Sequence, residues 1–114
     1  MASTYVANLV INQNADFSEI FNLEDISSNS ALNLAGYSVT SQMRKHSASS
    51  SYVSLNATVE NTSLGQVRVG LAKSQTSSLK PGRYIYDVVV IDNFNITKRV
   101  VEGMILVKEG ATKL

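Results

Sequence analysis

The chain lacks cysteine and tryptophan altogether and has one proline, one histidine and few charges of either sign. Without cysteine there are no disulfides, no thiolate nucleophile and no thiolate metal site. Imidazole chemistry rests on His46 alone. Charged residues make up 17%, ten basic against nine acidic, for a net charge of +1. Such a balance creates no electropositive field of the kind that binds nucleic acid or an anionic membrane surface. Nowhere is there a run of the ~18 apolar residues that a spanning helix requires. The start, MASTYVANLVINQNAD, has neither the basic opening nor the apolar stretch of a secretory signal. The expectation is a chain made in a cytosol, with no nucleic-acid partner, no membrane and no cofactor.

Small polar residues fill the space that charge leaves. Ser, Thr and Asn supply 33 of the 114 residues, and they alternate with Val, Ile, Leu and Tyr at a spacing of two. Alternation of that period suits half-buried strands, whose successive side chains face opposite ways. Strands are expected at residues 5–11 (YVANLVI), 17–23, 36–44, 52–59, 66–72, 83–91 and 97–107. Residues 24–33 form a loop or irregular turn, SQTSSL makes a crossing turn too short for a helix, and residues 92–95 form a hairpin connection. Gly103 marks a bulge or a close approach of two backbones. Strands of this number and spacing predict an all-β, immunoglobulin-like Greek-key β-sandwich of seven or eight strands. It is one domain over residues 1–114, with its core at about 5–108 and a flexible tail at 109–114. A chain of this length buries roughly two thirds of its unfolded surface.

The only Pro-Gly pair precedes a tyrosine in SLKPGRYIYDVVV. Leu79, Pro81, Gly82 and Tyr84 have the spacing of a tyrosine corner, in which a hydroxyl returns to the backbone where the chain passes between sheets. Pro81 fixes φ there and Gly82 permits a backbone shape closed to other residues. Beyond the corner, Tyr84, Tyr86, Val88 and Val90 share one face. The other carries Arg83, Ile85, Asp87, Val89 and Ile91, and it is too apolar for a solvent face. Either this strand is covered on both sides or its second face meets another subunit.

Catalytic patterns are sparse. His46 lies in the serine-rich loop RKHSASSS, where Ser47 or Ser49 with a distant carboxylate would be needed for a triad. There is no nucleophile elbow, and the loop reads as exposed. Asp16, Glu19, Glu24 and Asp25 match no calcium loop. The glycines at 65, 70, 82 and 103 are isolated in strand context, unlike a phosphate cradle. Three Asn-X-Ser/Thr triplets are expected by chance in so polar a chain. The chain is therefore read as no enzyme and as holding no metal.

A phenylalanine-led strand at residue 17 is followed by LNLAGYSV (32–39), GQVRVGL (65–71), LKPGRYIYD (79–87) and VEGMILV (101–107). This series resembles the small Ig-like modules of tailed-phage virion proteins. It is similar in particular to the N-terminal domains of baseplate upper proteins and to neck, tail and fibre attachment modules. The resemblance spans about residues 16–108, carried mainly by 79–87 and 101–107. It implies a non-enzymatic virion component, made in the host cytoplasm, whose partners are other virion proteins and copies of itself repeated about a symmetry axis. The modules it resembles lead into a longer fibre, whereas this chain stops at Leu114, which favours a free-standing subunit.

The expected subunit interface comprises Ile85, Val89 and Ile91, with Tyr5, Val6 and Leu9 on an N-terminal strand that either exchanges with a neighbour or completes its own sheet. The rival reading is a carbohydrate-binding β-sandwich module, which needs exposed aromatics. Phe94, at a hairpin tip, and Tyr52 are its candidate ligand contacts.

Overall fold

Period-two alternation produces strands through almost all of the chain. A computed structural model describes residues 5–25 and 30–112. In chain order the elements are β1 (Tyr5–Val6), β2 (Leu9–Asn12), β3 (Phe17–Asn22), β4 (Glu24–Asp25), β5 (Ser30–Ala31), β6 (Ser38–Arg44) and β7 (Val53–Ser54). After these come β8 (Thr58–Asn61), β9 (Gln66–Leu71), a single helical turn α1 (Lys73–Thr76), β10 (Gly82–Ile91) and β11 (Thr97–Lys108). The larger sheet has the order β1-β11-β10-β6-β7, with β2 also on β11. A second sheet has the order β3-β9-β8, and β4 pairs with β5. The result is a mostly β domain of several sheets, in the broad form of an all-β sandwich.

There are more strand segments than the seven or eight expected, because two expected strands are each divided and the region read as a loop adds two short ones. Residues 52–59 split where β7 pairs with β6 in the larger sheet and β8 pairs with β9 in the other. The chain crosses at Asn56, whose φ of 52° is left-handed. The Asn56 side chain donates to the Gly70 carbonyl at 3.1 Å and to Gln75 Oε1 at 3.3 Å, fixing the crossing. Residues 5–11 are interrupted at Ala7 and Asn8, although β1 and β2 keep one parallel register along β11. Asn8 Oδ1 accepts from the Met104 amide at 3.1 Å, in the place of a ladder carbonyl.

Gly103 is the close approach and the bulge is elsewhere. A Cβ at 103 would run into the Ala7 carbonyl. The register between β10 and β11 shifts between Val88 and Val89, and Val100 and Val101 are both buried, the side-chain pattern of a β-bulge. SQTSSL likewise differs from expectation: its start belongs to α1. Asp16 Oδ1 accepts from the Lys73 amide at 2.7 Å, and Gln75 Oε1 from the Ala72 amide at 2.9 Å, satisfying donors that a short helix leaves open. The region read as a loop at 24–33 contains the β4–β5 pair.

Inward side chains of both larger sheets form one apolar cluster, including Ile11, Phe21, Met43, Val69, Val88 and Ile105. Each such burial contributes about 1.5–3 kcal/mol. Two ends result. At the basal end, where β10 begins, Gln13 Nε2 donates to the Leu79 carbonyl at 2.6 Å and Asn14 Nδ2 to the Thr112 carbonyl at 3.1 Å. The Gly110 amide also donates to Gln13 Oε1, at 3.2 Å. At the apical end, where β10 stops, the Leu34 amide donates to the Thr62 carbonyl at 3.0 Å, and Leu32, Tyr37, Asp92 and Ile96 line a small recess.

Candidate functional site

The outward face of the larger sheet is built by the same alternation that builds the core. Along β10, Tyr84, Tyr86, Val88 and Val90 turn inward, leaving Ile85, Asp87, Val89 and Ile91 outward. Register then assembles the face. Ile85 lies between Met104 of β11 and Arg44 of β6; Asp87 between Glu102 and Gln42; Val89 between Arg99 and Thr40. Val6 sits beside Glu102, and Val10 beside Leu106.

These strands enclose an open trough of about 770 Å³, whose lining includes Val6, Ile85, Met104, Asp87, Arg99 and Glu102. Arg99 lies 3.3 Å from Asp87 and 3.4 Å from Glu102, an ion triad in the middle of the face. Its solvent exposure limits each pair to about 0–1 kcal/mol, so the triad orients more than it stabilises. Beside it, Val6 (70% exposed) and Met104 (47%) are open to solvent, with Val10, Ile85 and Leu106 also exposed. Apolar side chains grouped beside polar ones in this way mark interaction surfaces.

The expected interface residues separate. Ile85 is exposed, and Val89 and Ile91 are half-buried on the same face. Val6 joins them. Leu9 does not: β2 alternates Leu9 and Ile11 inward with Val10 outward, placing Leu9 in the core. Tyr5 sits edge-on to Phe21, 6.3 Å between ring centres. Burial raises the Tyr5 phenol above its usual range, helped by the Glu19 carboxylate. Sequence reasoning missed Met104, Leu106 and Val10. For Met104 and Leu106 the signal was an apolar side chain at every position from 104 to 107, which leaves no polar face.

At the basal corner, the Tyr84 hydroxyl donates to the Lys80 carbonyl at 2.8 Å, and Lys45 Nζ lies 4.3 Å above the Tyr84 ring. Leu79 is buried and Pro81 exposed, while Gly82 has a φ of 137°, in the left-handed half that favours glycine. Tyr52, exposed, carries the Arg44 guanidinium 4.9 Å above its ring. Phe94 is 79% exposed at the apical hairpin. Tyr52 and Phe94 thus lie at opposite ends of the sheet, roughly 20 Å apart for the six strand steps between Ile85 and Ile91.

The His46 amide donates to Ser49 Oγ at 3.2 Å and the Ser49 amide to the His46 carbonyl at 2.9 Å, so this pair closes a turn. Asp16 is basal, whereas Glu24 and Asp25 are apical. Among the described residues no three His, Asp or Glu side chains gather in a metal-binding group. Nor, among them, is any helix long and apolar enough to cross a membrane.

No family model and no curated protein matches the chain. Among solved structures, an internalin-like protein of Listeria monocytogenes, lmo2027, aligns with 94% of this chain at 16% identity and a TM-score of 0.45. The aligned part is 28% of that protein's length.

Proposed function

We propose that the chain is a non-enzymatic attachment module, a structural subunit of a tailed-phage virion, which packs against neighbouring copies through the outward face of its larger sheet. The observation that carries this reading is the grouping of Val6, Ile85 and Met104 in one trough beside the Arg99 triad. An apolar floor supplies contact area, and the fixed charges select register and orientation. The strand order supports an immunoglobulin-type arrangement, with β3, β9 and β8 opposite β6, β10 and β11. Within it, the segment from Leu79 to Tyr84 acts as the tyrosine corner, and residues 1–114 act as one domain.

Light scattering across a concentration series tests the reading. In high-salt buffer, where charge contacts are screened, the wild-type chain is expected to form a discrete oligomer, and the double variant I85K/M104K to lose it with an unchanged circular dichroism spectrum. A wild-type chain that stays monomeric at the highest soluble concentration would overturn it. The carbohydrate-binding alternative has less support, because Tyr52 and Phe94 do not share a stacking platform.

A further inference from the structure

The charges are nearly balanced in number but not in position. Six of the ten basic residues, Arg44, Lys45, Lys73, Lys80, Arg83 and Lys108, belong to strand ends and loops at the basal end, with His46 beside them. The acids there are Asp16, whose Oδ1 holds the Lys73 amide, and Glu109. The apical end reverses the sign, with Glu24, Asp25 and Asp92 against Lys98. β10, ten residues long, carries the chain roughly 30 Å from the basal to the apical end, several screening lengths at physiological salt, so each end presents its own field.

The two ends also differ in shape. Apically, Phe94, Ile96 and Leu64 are each more than half exposed, on the β10–β11 and β8–β9 hairpins. The Phe94 loop is held in one shape: Asp92 Oδ1 accepts from the amides of Phe94 and Ile96, both at 2.9 Å, and Asn95 is left-handed with φ 64°. A side chain presented by so braced a turn loses little freedom on binding. Basally, an open hollow of about 360 Å³ has half-buried Val53 and exposed Tyr52 among its walls and Arg44, Lys45 and His46 at its rim, with Arg44 stacked on the Tyr52 ring and Lys45 on the Tyr84 ring. An aromatic ring fits both parts of that lining, by apolar contact and by its attraction for cations.

We infer that the acidic apical end of one copy, led by Phe94, docks into the basic basal hollow of the next, so that copies associate head to tail. Such a contact is heterologous, and repeats into a ring or an open filament according to its rotation. It uses neither Ile85 nor Met104, and is separable from the sheet-face contact.

Sedimentation velocity at low and high salt, over a concentration series, tests it. Self-association is expected at low salt and should weaken as salt rises. Phe94→Ser should weaken it by about tenfold or more, while I85K/M104K leaves it in place. In the I85K/M104K background, which removes the sheet-face contact, a basal reversal, K45E/R83E, and an apical reversal, Glu24→Lys, should each abolish self-association alone and restore a complex when mixed. All four are surface changes, and circular dichroism checks that each variant folds. For the I85K/M104K protein, a monomer at low salt, undiminished association on adding Phe94→Ser, or no complex on mixing the two reversals would each overturn the head-to-tail contact. Association that ignores salt and vanishes in I85K/M104K would leave only the sheet face.

Discussion

The Tyr86 hydroxyl donates to the Ala7 carbonyl at 2.5 Å, joining residues 79 positions apart. Tyr86 is buried on β10, and Ala7 is where the N-terminal strand breaks between β1 and β2. At that break the backbone is close to Gly103, and the Ala7 carbonyl has the phenol as its partner. One side chain thus supplies what the interrupted ladder does not. Tyr86→Phe keeps the ring stacked near Phe21, 6.4 Å away, and removes only the donor. The expected loss is about 1 kcal/mol, nearer 3 if the carbonyl stays dry, seen as a lower urea midpoint with an unchanged slope. Unchanged stability would mean that the bond contributes nothing net.

The same phenol makes the fold sensitive to alkali. Burial raises the Tyr86 phenol well above its usual range, with further contributions from Tyr5 and from Glu19, and Tyr5 is raised in the same direction. In the unfolded chain both ionise near pH 10. Above that pH the folded state holds more protons than the unfolded state, so unfolding free energy falls as pH rises. The contribution is complete below about pH 10 and is lost on the way to the folded-state values. Urea midpoints taken between about pH 9 and 11 should fall for the wild type and fall less for Tyr86→Phe. Equal slopes for the two proteins would contradict the assignment to Tyr86.

Gly103→Ala should displace the N-terminal strand. The added methyl would meet backbone, which cannot swing away as a flexible side chain can. A cost of about 1–3 kcal/mol is expected, with amide exchange accelerated first at Ala7 and at Met104, whose amide is held by Asn8. If the variant is as stable as the wild type, β1 and β2 do not lie against β11 as described.

Much of this was legible in the sequence, where a side chain's own periodicity decides its place. The inward set Tyr84, Tyr86, Val88 and Val90, and the apolar outward set with Ile85, follow from alternation along one strand. The breaks were not legible, because each depends on a partner distant in sequence. Asn56 turns the chain by bonding to Gly70 and Gln75, and Asn8 ends a strand by capturing the Met104 amide. Neither asparagine stands out among ten. The bulge that buries both Val100 and Val101 depends on pairing with β10. The trough was half visible: its β10 residues were found, but Met104 within it and Val10 beside it required the register that brings three strands together.

Parity along β2 separates packing from docking within a single strand. Leu9 is enclosed in the core, and Leu9→Ala should cost about 2–5 kcal/mol through lost burial and a residual cavity. Val10, one residue on, points from the opposite face beside Leu106, and Val10→Ser should change stability by no more than about 0.5 kcal/mol. Oligomer formation should show the reverse order. Val10→Ser, with Val6→Ser, strips apolar surface beside the trough and should shift the assembly toward monomer, whereas Leu9→Ala should lower the urea midpoint without altering the oligomer that the folded fraction forms. If both substitutions changed stability alike and left assembly untouched, the outward face of β2 would have no part in subunit contact.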